Sequence, residues 1–81
     1  MPKALQAPRY RQLPAFLRNL REQAHLTQRE LGKKLGVQHT IVHNCETAER
    51  RVDVAEFADW ATACGVDPVE ALKRFLKRAK G

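Results

Sequence analysis

A tight turn between two short helices constrains this chain more than any other feature. Thr27 and Glu30 have the spacing of a capping box, which favours a helix over 28–35. Gly36 suits the left-handed position just past a helix C-terminus. A second helix is predicted over 38–46, with Val42 and Cys45 inward at i, i+3, so only about three residues connect the two helices. Two helices joined by so short a glycine turn must pack against each other.

The rest of the chain is also predicted to be helical. Apolar residues recur at helical spacing in three further segments, which cover 13–24, 53–64 and 68–79. No alternating run of β-branched residues predicts a strand. Eighty-one residues suffice for one domain only. We therefore expect an all-α, compact five-helix domain over 13–79, preceded by a loose basic segment over 1–12.

The charge distribution suggests an anionic partner. The chain has 15 Lys and Arg against 9 Asp and Glu, a net charge of +6, and its 43% of hydrophobic residues exclude a disordered basic tail. Residues 53–70 contain five acidic and no basic residues, whereas residues 71–81 contain five basic and no acidic ones. The excess of +6 therefore lies in residues 1–52. The alternative is that these blocks are ordinary solvated surface.

The apolar runs, the N-terminal pattern and the two cysteines also indicate the cellular compartment. No apolar run approaches the ~18 residues of a membrane span, and the N-terminus lacks the pattern of a secretory signal. Cys45 and Cys64 both fall in apolar helical patterns, which predicts two buried free thiols rather than a disulfide. We expect a cytoplasmic protein.

The stretch Leu26-Thr27-Gln28-Arg29-Glu30-Leu31-Gly32-Lys33-Lys34-Leu35-Gly36-Val37, with Ile41-Val42 and Glu46 after it, resembles the Xre/Cro-type (lambda-repressor-like) helix-turn-helix family. The family pattern is Leu-Thr-Gln-x-x-Leu-small-x-x-Leu-Gly-Val. The resemblance covers about residues 13–76. It departs from the family at Gly32, where Ala is usual, and at Ala48, where Gly is usual.

The resemblance implies that the helix over 38–46 enters the major groove of double-stranded DNA. The base-reading positions would then be Gln38, His39, Thr40, His43 and Asn44, with Val42 and Cys45 turned towards the core. Asn44 would suit adenine, and Thr40 the methyl group of thymine. The positions that match phosphate contacts are Thr27, Gln28, Thr47, Arg50 and Arg51. Arg21 and Glu46 would form an internal ion pair that orients the recognition helix.

The resemblance implies a sequence-specific transcriptional regulator, a repressor that binds a palindromic operator as a homodimer. The alternative is an antitoxin that binds a toxin protein and autoregulates its operon, and a corepressor is another possible protein partner. The candidate protein-binding surface is the helix over 68–79, unless Phe75 and Leu76 only close the core. Binding of that helix to a membrane surface is the weakest hypothesis.

The sequence gives little support for a metal site or an enzyme active site. His39 and His43 share one helical face, but a zinc site needs more ligands. The chain has no glycine-rich phosphate loop, no Ser/His/Asp arrangement and no paired acids in a pocket pattern. We therefore expect neither an enzyme nor a cofactor.

Overall fold

The computed structural model describes residues 7–79, and this part of the chain is helical with no strand. The helices are α1 (Pro8–Arg11), α2 (Leu13–Gln23), α3 (Gln28–Leu35), α4 (His39–Glu46), α5 (Val54–Ala63) and α6 (Pro68–Arg78). The Cα radius of gyration of 12.0 Å is that of a compact domain of this length. The predicted all-α class and the five helices from 13 onwards are confirmed, and no predicted helix end differs from the observed one by more than one residue.

Local signals set the ends of the helix pair α3 and α4. The hydroxyl of Thr27 accepts from the backbone N–H of Glu30 at 3.1 Å, and the Glu30 carboxylate accepts from the Thr27 N–H at 2.8 Å. Gly36 ends α3 with φ of 73°, in the left-handed region that favours glycine. Two residues then suffice to reach α4. The predicted capping box and the glycine turn are both present.

One apolar core joins the helices. Leu17, Leu31 and Val42, from α2, α3 and α4, are fully buried. The indole Nε1–H of Trp60 donates to the carbonyl of Leu17 at 3.0 Å, so the polar atom of this large side chain is satisfied inside the core. Cys45 and Cys64 are buried free thiols, as predicted.

The segment before residue 13 differs from the expected loose tail. Pro8–Arg11 forms the one-turn helix α1, and the hydroxyl of Tyr10 accepts from the backbone N–H of Val52 at 2.8 Å. The Nε–H of Arg9 donates to the carbonyl of Ala79 at 3.3 Å. These contacts join α1 to distant parts of the chain, which local sequence patterns do not reveal. The rest of the expected segment, residues 1–6, lies outside the described residues.

Within residues 7–79, no helix combines the length and the apolar content that crossing a membrane requires.

Candidate nucleic-acid interface

The helices α3 and α4 approach each other at Gly32. A Cβ atom at this position would lie 2.8 Å from the carbonyl oxygen of Val37 and 3.3 Å from the backbone nitrogen of His39. Both distances are shorter than ordinary van der Waals contact, and both atoms belong to the backbone. Glycine therefore sets how closely the turn and the start of α4 pack on α3.

The helix α4 has one face in the core and one in solvent. Val42 and Cys45 are buried, as predicted from the helical period. The five predicted base-reading side chains lie on the remaining surface of α4 and its N-cap: Gln38, Thr40 and His43 are exposed, and His39 and Asn44 are half-buried. In the described part of the chain, His39 and His43 belong to no cluster of three or more potential metal ligands.

A buried ion pair connects α4 to α2. Arg21 Nε donates to Glu46 Oε2 at 2.6 Å and Arg21 Nη2 to Glu46 Oε1 at 3.1 Å, and these side chains are only 11% and 2% exposed. Arg21 Nη1 also donates to the carbonyl of Leu26 at 2.8 Å. The hydrogen bond to Glu46 raises the pKa of Arg21 above its ordinary value, because the carboxylate stabilises the guanidinium charge. The arrangement ties the C-terminal end of α4 to the end of α2.

Gln28, expected at a phosphate, is engaged inside the protein. Its Nε2 donates to Glu46 Oε1 at 3.1 Å and lies 3.5 Å from His43 Nδ1. The amide nitrogen is thus directed at α4, and in this conformation it is not turned outwards to donate to a phosphate. The engagement of the Gln28 side chain does not involve the backbone N–H groups at the start of α3. Of these groups, the capping box uses only those of Thr27 and Glu30.

The other expected phosphate ligands also have partners within the fold. The Thr27 side chain belongs to the capping box, and the Thr47 hydroxyl donates to the carbonyl of His43 at 3.0 Å. Arg50 Nη2 lies 2.7 Å from Glu56 Oε2. This contact raises the pKa of Arg50 and lowers that of Glu56, since each charge stabilises the other.

Arg51 differs from the other four because its partner is an aromatic ring. Its guanidinium carbon lies 4.8 Å from the centre of the Tyr10 ring, and the residue is exposed. A guanidinium stacked on a ring keeps its edge N–H groups for a second partner.

Two cations beside α4 were missed by the sequence analysis. Arg29 and Lys33 lie four residues apart on the exposed side of α3, and with Gln38 and His39 they line one shallow depression. The sequence could have indicated these two cations, because residues four apart share a helical face and the short turn brings that face next to the start of α4.

Ala48, one of the two departures from the family pattern, follows α4 with φ of 66°. It therefore adopts the left-handed conformation for which glycine is the usual residue.

Comparisons with known proteins agree with this geometry. The family model of a helix-turn-helix domain matches residues 12–73. Among solved structures, an XRE-family like protein from Pseudomonas syringae pv. tomato str. DC3000 is 38% identical, with a TM-score of 0.79, and the match covers 86% of this chain and 85% of that one. No curated protein matches the chain. The chain belongs to the Xre-type family of helix-turn-helix proteins.

Proposed function

We propose that this DNA-binding regulator is a sequence-specific repressor that reads the major groove with α4. The observation that carries the proposal is the division of α4 into a buried face and a polar outer face. Gly32 and the Arg21–Glu46 pair would hold that helix in one orientation, since one allows close approach and the other ties α4 to α2. A rigidly held helix with hydrogen-bonding side chains outwards is what direct readout of base edges needs.

Two outer side chains of α4 suit particular bases. The carboxamide of Asn44 can accept from N6 and donate to N7 of adenine at once, and Thr40 can place its methyl group against the methyl of thymine. Gln38 and His39 stand at the N-terminal end of α4, the part of a recognition helix that lies nearest the bases.

The surroundings of His43 favour one of its two neutral tautomers. A carboxylate only accepts, so the atom of Gln28 that faces Glu46 at 3.1 Å is the amide nitrogen. The same nitrogen lies 3.5 Å from His43 Nδ1, so a neutral His43 would accept there through Nδ1 and carry its proton on Nε2. His43 would present an N–H donor to the groove, where the N7 and O6 atoms of guanine are acceptors.

Phosphate contacts would come from groups beside α4 that remain accessible. Arg29, Lys33 and Arg51 supply positive charge, and the backbone N–H groups of Gln28 and Arg29 lie at the N-terminal end of α3, where an anion is favoured. Thr47 would have to release the carbonyl of His43 to contribute, because its hydroxyl donates there. Thr27 only accepts in the capping box, and Arg50 has further N–H groups beside its contact with Glu56, so both could donate to a phosphate without leaving their present partners. The protein would act as a homodimer on a palindromic operator, with recognition helices about 34 Å apart.

Selection of binding sites from random duplex DNA tests the proposal. A specific repressor enriches one palindromic site, and failure to enrich any sequence would contradict specific readout. Asn44→Ala should then weaken binding to that site by about 1–3 kcal/mol and leave binding to random DNA nearly unchanged. Asn19→Ala, the same substitution on α2, is the matched control. An equal loss on both DNAs would remove Asn44 from base readout.

Gln28 needs a test of its own, because two roles are open to it. If it orients His43, Gln28→Ala and His43→Ala both relax the preference at the same base pair. If its side chain binds a phosphate, Gln28→Ala weakens all sequences alike and reduces the dependence of affinity on salt.

A further inference from the structure

A cavity separates α4 from α5. The helix α4 packs chiefly on α2 and α3, whereas α5 packs on α3 and α6. The space that remains between α4 and α5 is a cavity of about 130 Å³. Ile41, Val42 and Cys45 of α4 line it together with Val52 and Trp60. The fold thus leaves α4 without close packing on the side towards α5.

The inner wall of the cavity is apolar. Val42, Cys45 and Trp60 are at most 4% exposed. The one polar atom of the Trp60 side chain, its Nε1–H, already donates to the carbonyl of Leu17 at 3.0 Å. Burial raises the pKa of the Cys45 thiol, which therefore stays neutral. Water finds few hydrogen-bond partners against such a wall, and an apolar cavity of ~150 Å³ accepts one benzene molecule. A cavity of about 130 Å³ therefore suits a single aromatic ring.

Where the cavity opens to solvent, its lining is charged. The charged residues there are Arg50, Glu56 and Asp59. Arg50 Nη2 and Glu56 Oε2 lie 2.7 Å apart, so these two charges neutralise each other. Asp59 is exposed and, within residues 7–79, belongs to no ion pair. The mouth of the cavity thus has one uncompensated negative charge, which attracts a cation and repels a carboxylate.

We propose that this cavity binds a small monocyclic aromatic amine, with its ring between α4 and Trp60 and its ammonium group beside Asp59. The bound ring touches both α4 and α5, so it favours the orientation of α4 in which the cavity exists over any other. The ligand would therefore act as an effector that raises affinity for DNA. This effector role rests on the proposed function, whereas binding of the ligand does not.

Benzylammonium and benzoate are matched probes of the site, because they share an aromatic ring and carry opposite charges next to it. Each is titrated into the full chain at constant ionic strength, and the fluorescence of Trp60, the single tryptophan, reports binding. We expect a saturable response to benzylammonium with a Kd of about 1 mM, the scale for a ligand of this size. Benzoate should bind about tenfold more weakly, since Asp59 attracts one probe and repels the other.

Two variants test where the probe binds. Asp59→Asn should weaken benzylammonium about threefold and strengthen benzoate by a similar factor. Glu49→Gln is its control, because Glu49 is an exposed acid outside the cavity. Ile41→Phe fills the cavity from α4 and should weaken both probes at least about tenfold. Val69→Phe, at a position that is 62% exposed and outside the cavity, should leave both unchanged.

The effector role is tested on the DNA site that selection enriches. Saturating benzylammonium chloride should raise affinity for that site several-fold relative to the same concentration of ammonium chloride, since salt alone weakens DNA binding.

Several outcomes would overturn the proposal. A response to benzylammonium that does not saturate would exclude a binding site, and benzoate that binds as tightly would exclude the amine class. Unchanged affinity in Asp59→Asn, or in Ile41→Phe that circular dichroism shows to be folded, would place the probe elsewhere. Unchanged DNA affinity at saturation would refute the effector role. Failure of the DNA proposal is seen separately, because selection then enriches no site.

Discussion

Replacing Gly32 with alanine would show whether the contact of α3 with the turn controls the orientation of α4. The added methyl carbon would lie 2.8 Å from the carbonyl oxygen of Val37 and 3.3 Å from the nitrogen of His39. Neither atom can rotate away, since both are backbone. Relief of the contact requires the turn and the start of α4 to move by roughly half an ångström.

Two opposing terms set the expected loss of stability. Alanine is preferred over glycine inside a helix by about 1 kcal/mol. Overpacking a close contact costs about 1–3 kcal/mol, and a contact with backbone lies towards the upper end of that range because no rotamer change relieves it. We therefore expect Gly32→Ala to lower the free energy of unfolding by about 1–2 kcal/mol. Each kcal/mol corresponds to a drop of about 4–8 °C in Tm for a domain of this size.

Urea unfolding followed by the fluorescence of the single tryptophan, Trp60, measures this loss. Gly36→Ala is the matched control, because that position has φ of 73° and nothing within 4 Å of the added atom. Gly36→Ala should lower the free energy of unfolding by about 1–2 kcal/mol through backbone strain, without moving α4. Under conditions where both variants are folded, only Gly32→Ala should lose DNA affinity. Wild-type stability or higher in Gly32→Ala would refute the close packing inferred at this contact.

Four further predictions use the same unfolding assay or thiol labelling. Ala48→Gly should raise the free energy of unfolding by up to about 1 kcal/mol, because glycine relieves the left-handed strain; a lower urea midpoint would contradict this. Glu46→Gln should destabilise the protein by about 3 kcal/mol, because it leaves the buried guanidinium of Arg21 without a counter-charge, whereas unchanged stability would show that the pair is dispensable. Burial raises the pKa of Cys64 from 9.0 to about 11, so stability should fall as pH rises above 9, where the unfolded thiol ionises and the folded one does not. The native protein should also resist thiol reagents near neutral pH, and rapid native labelling would show that the thiols are accessible.

The helices from residue 13 onwards could be predicted because their signals are local. Thr27 with Glu30 and Asp53 with Glu56 cap their helices within four residues of chain, and Gly36 ends α3 by its own backbone conformation. The helix α1 could not be predicted in this way. Its contacts to Val52 and Ala79 depend on segments that are about forty and seventy residues away.

In the candidate site, too, some features follow from nearby residues in the sequence and others depend on how distant segments pack. The helical period of α4 identified Val42 and Cys45 as inward, and the structure buries both. The engagement of Gln28 was not predictable from its position at the start of α3. It depends on where the Glu46 carboxylate lies after α2, α3 and α4 have packed together.

If α4 reads DNA as proposed, the carboxylate of Glu46 links stability to recognition in this small fold. It accepts from Arg21 of α2 and from Gln28 of α3 while it belongs to α4, so one buried group holds all three helices. Through Gln28 the same carboxylate also reaches His43 on the outer face. An eight-residue helix has too few positions to separate the residues that fix its place from those proposed to meet DNA. Substitutions at Glu46 should therefore change stability and readout together, whereas Asn44, which lies on the outer face, can change readout alone.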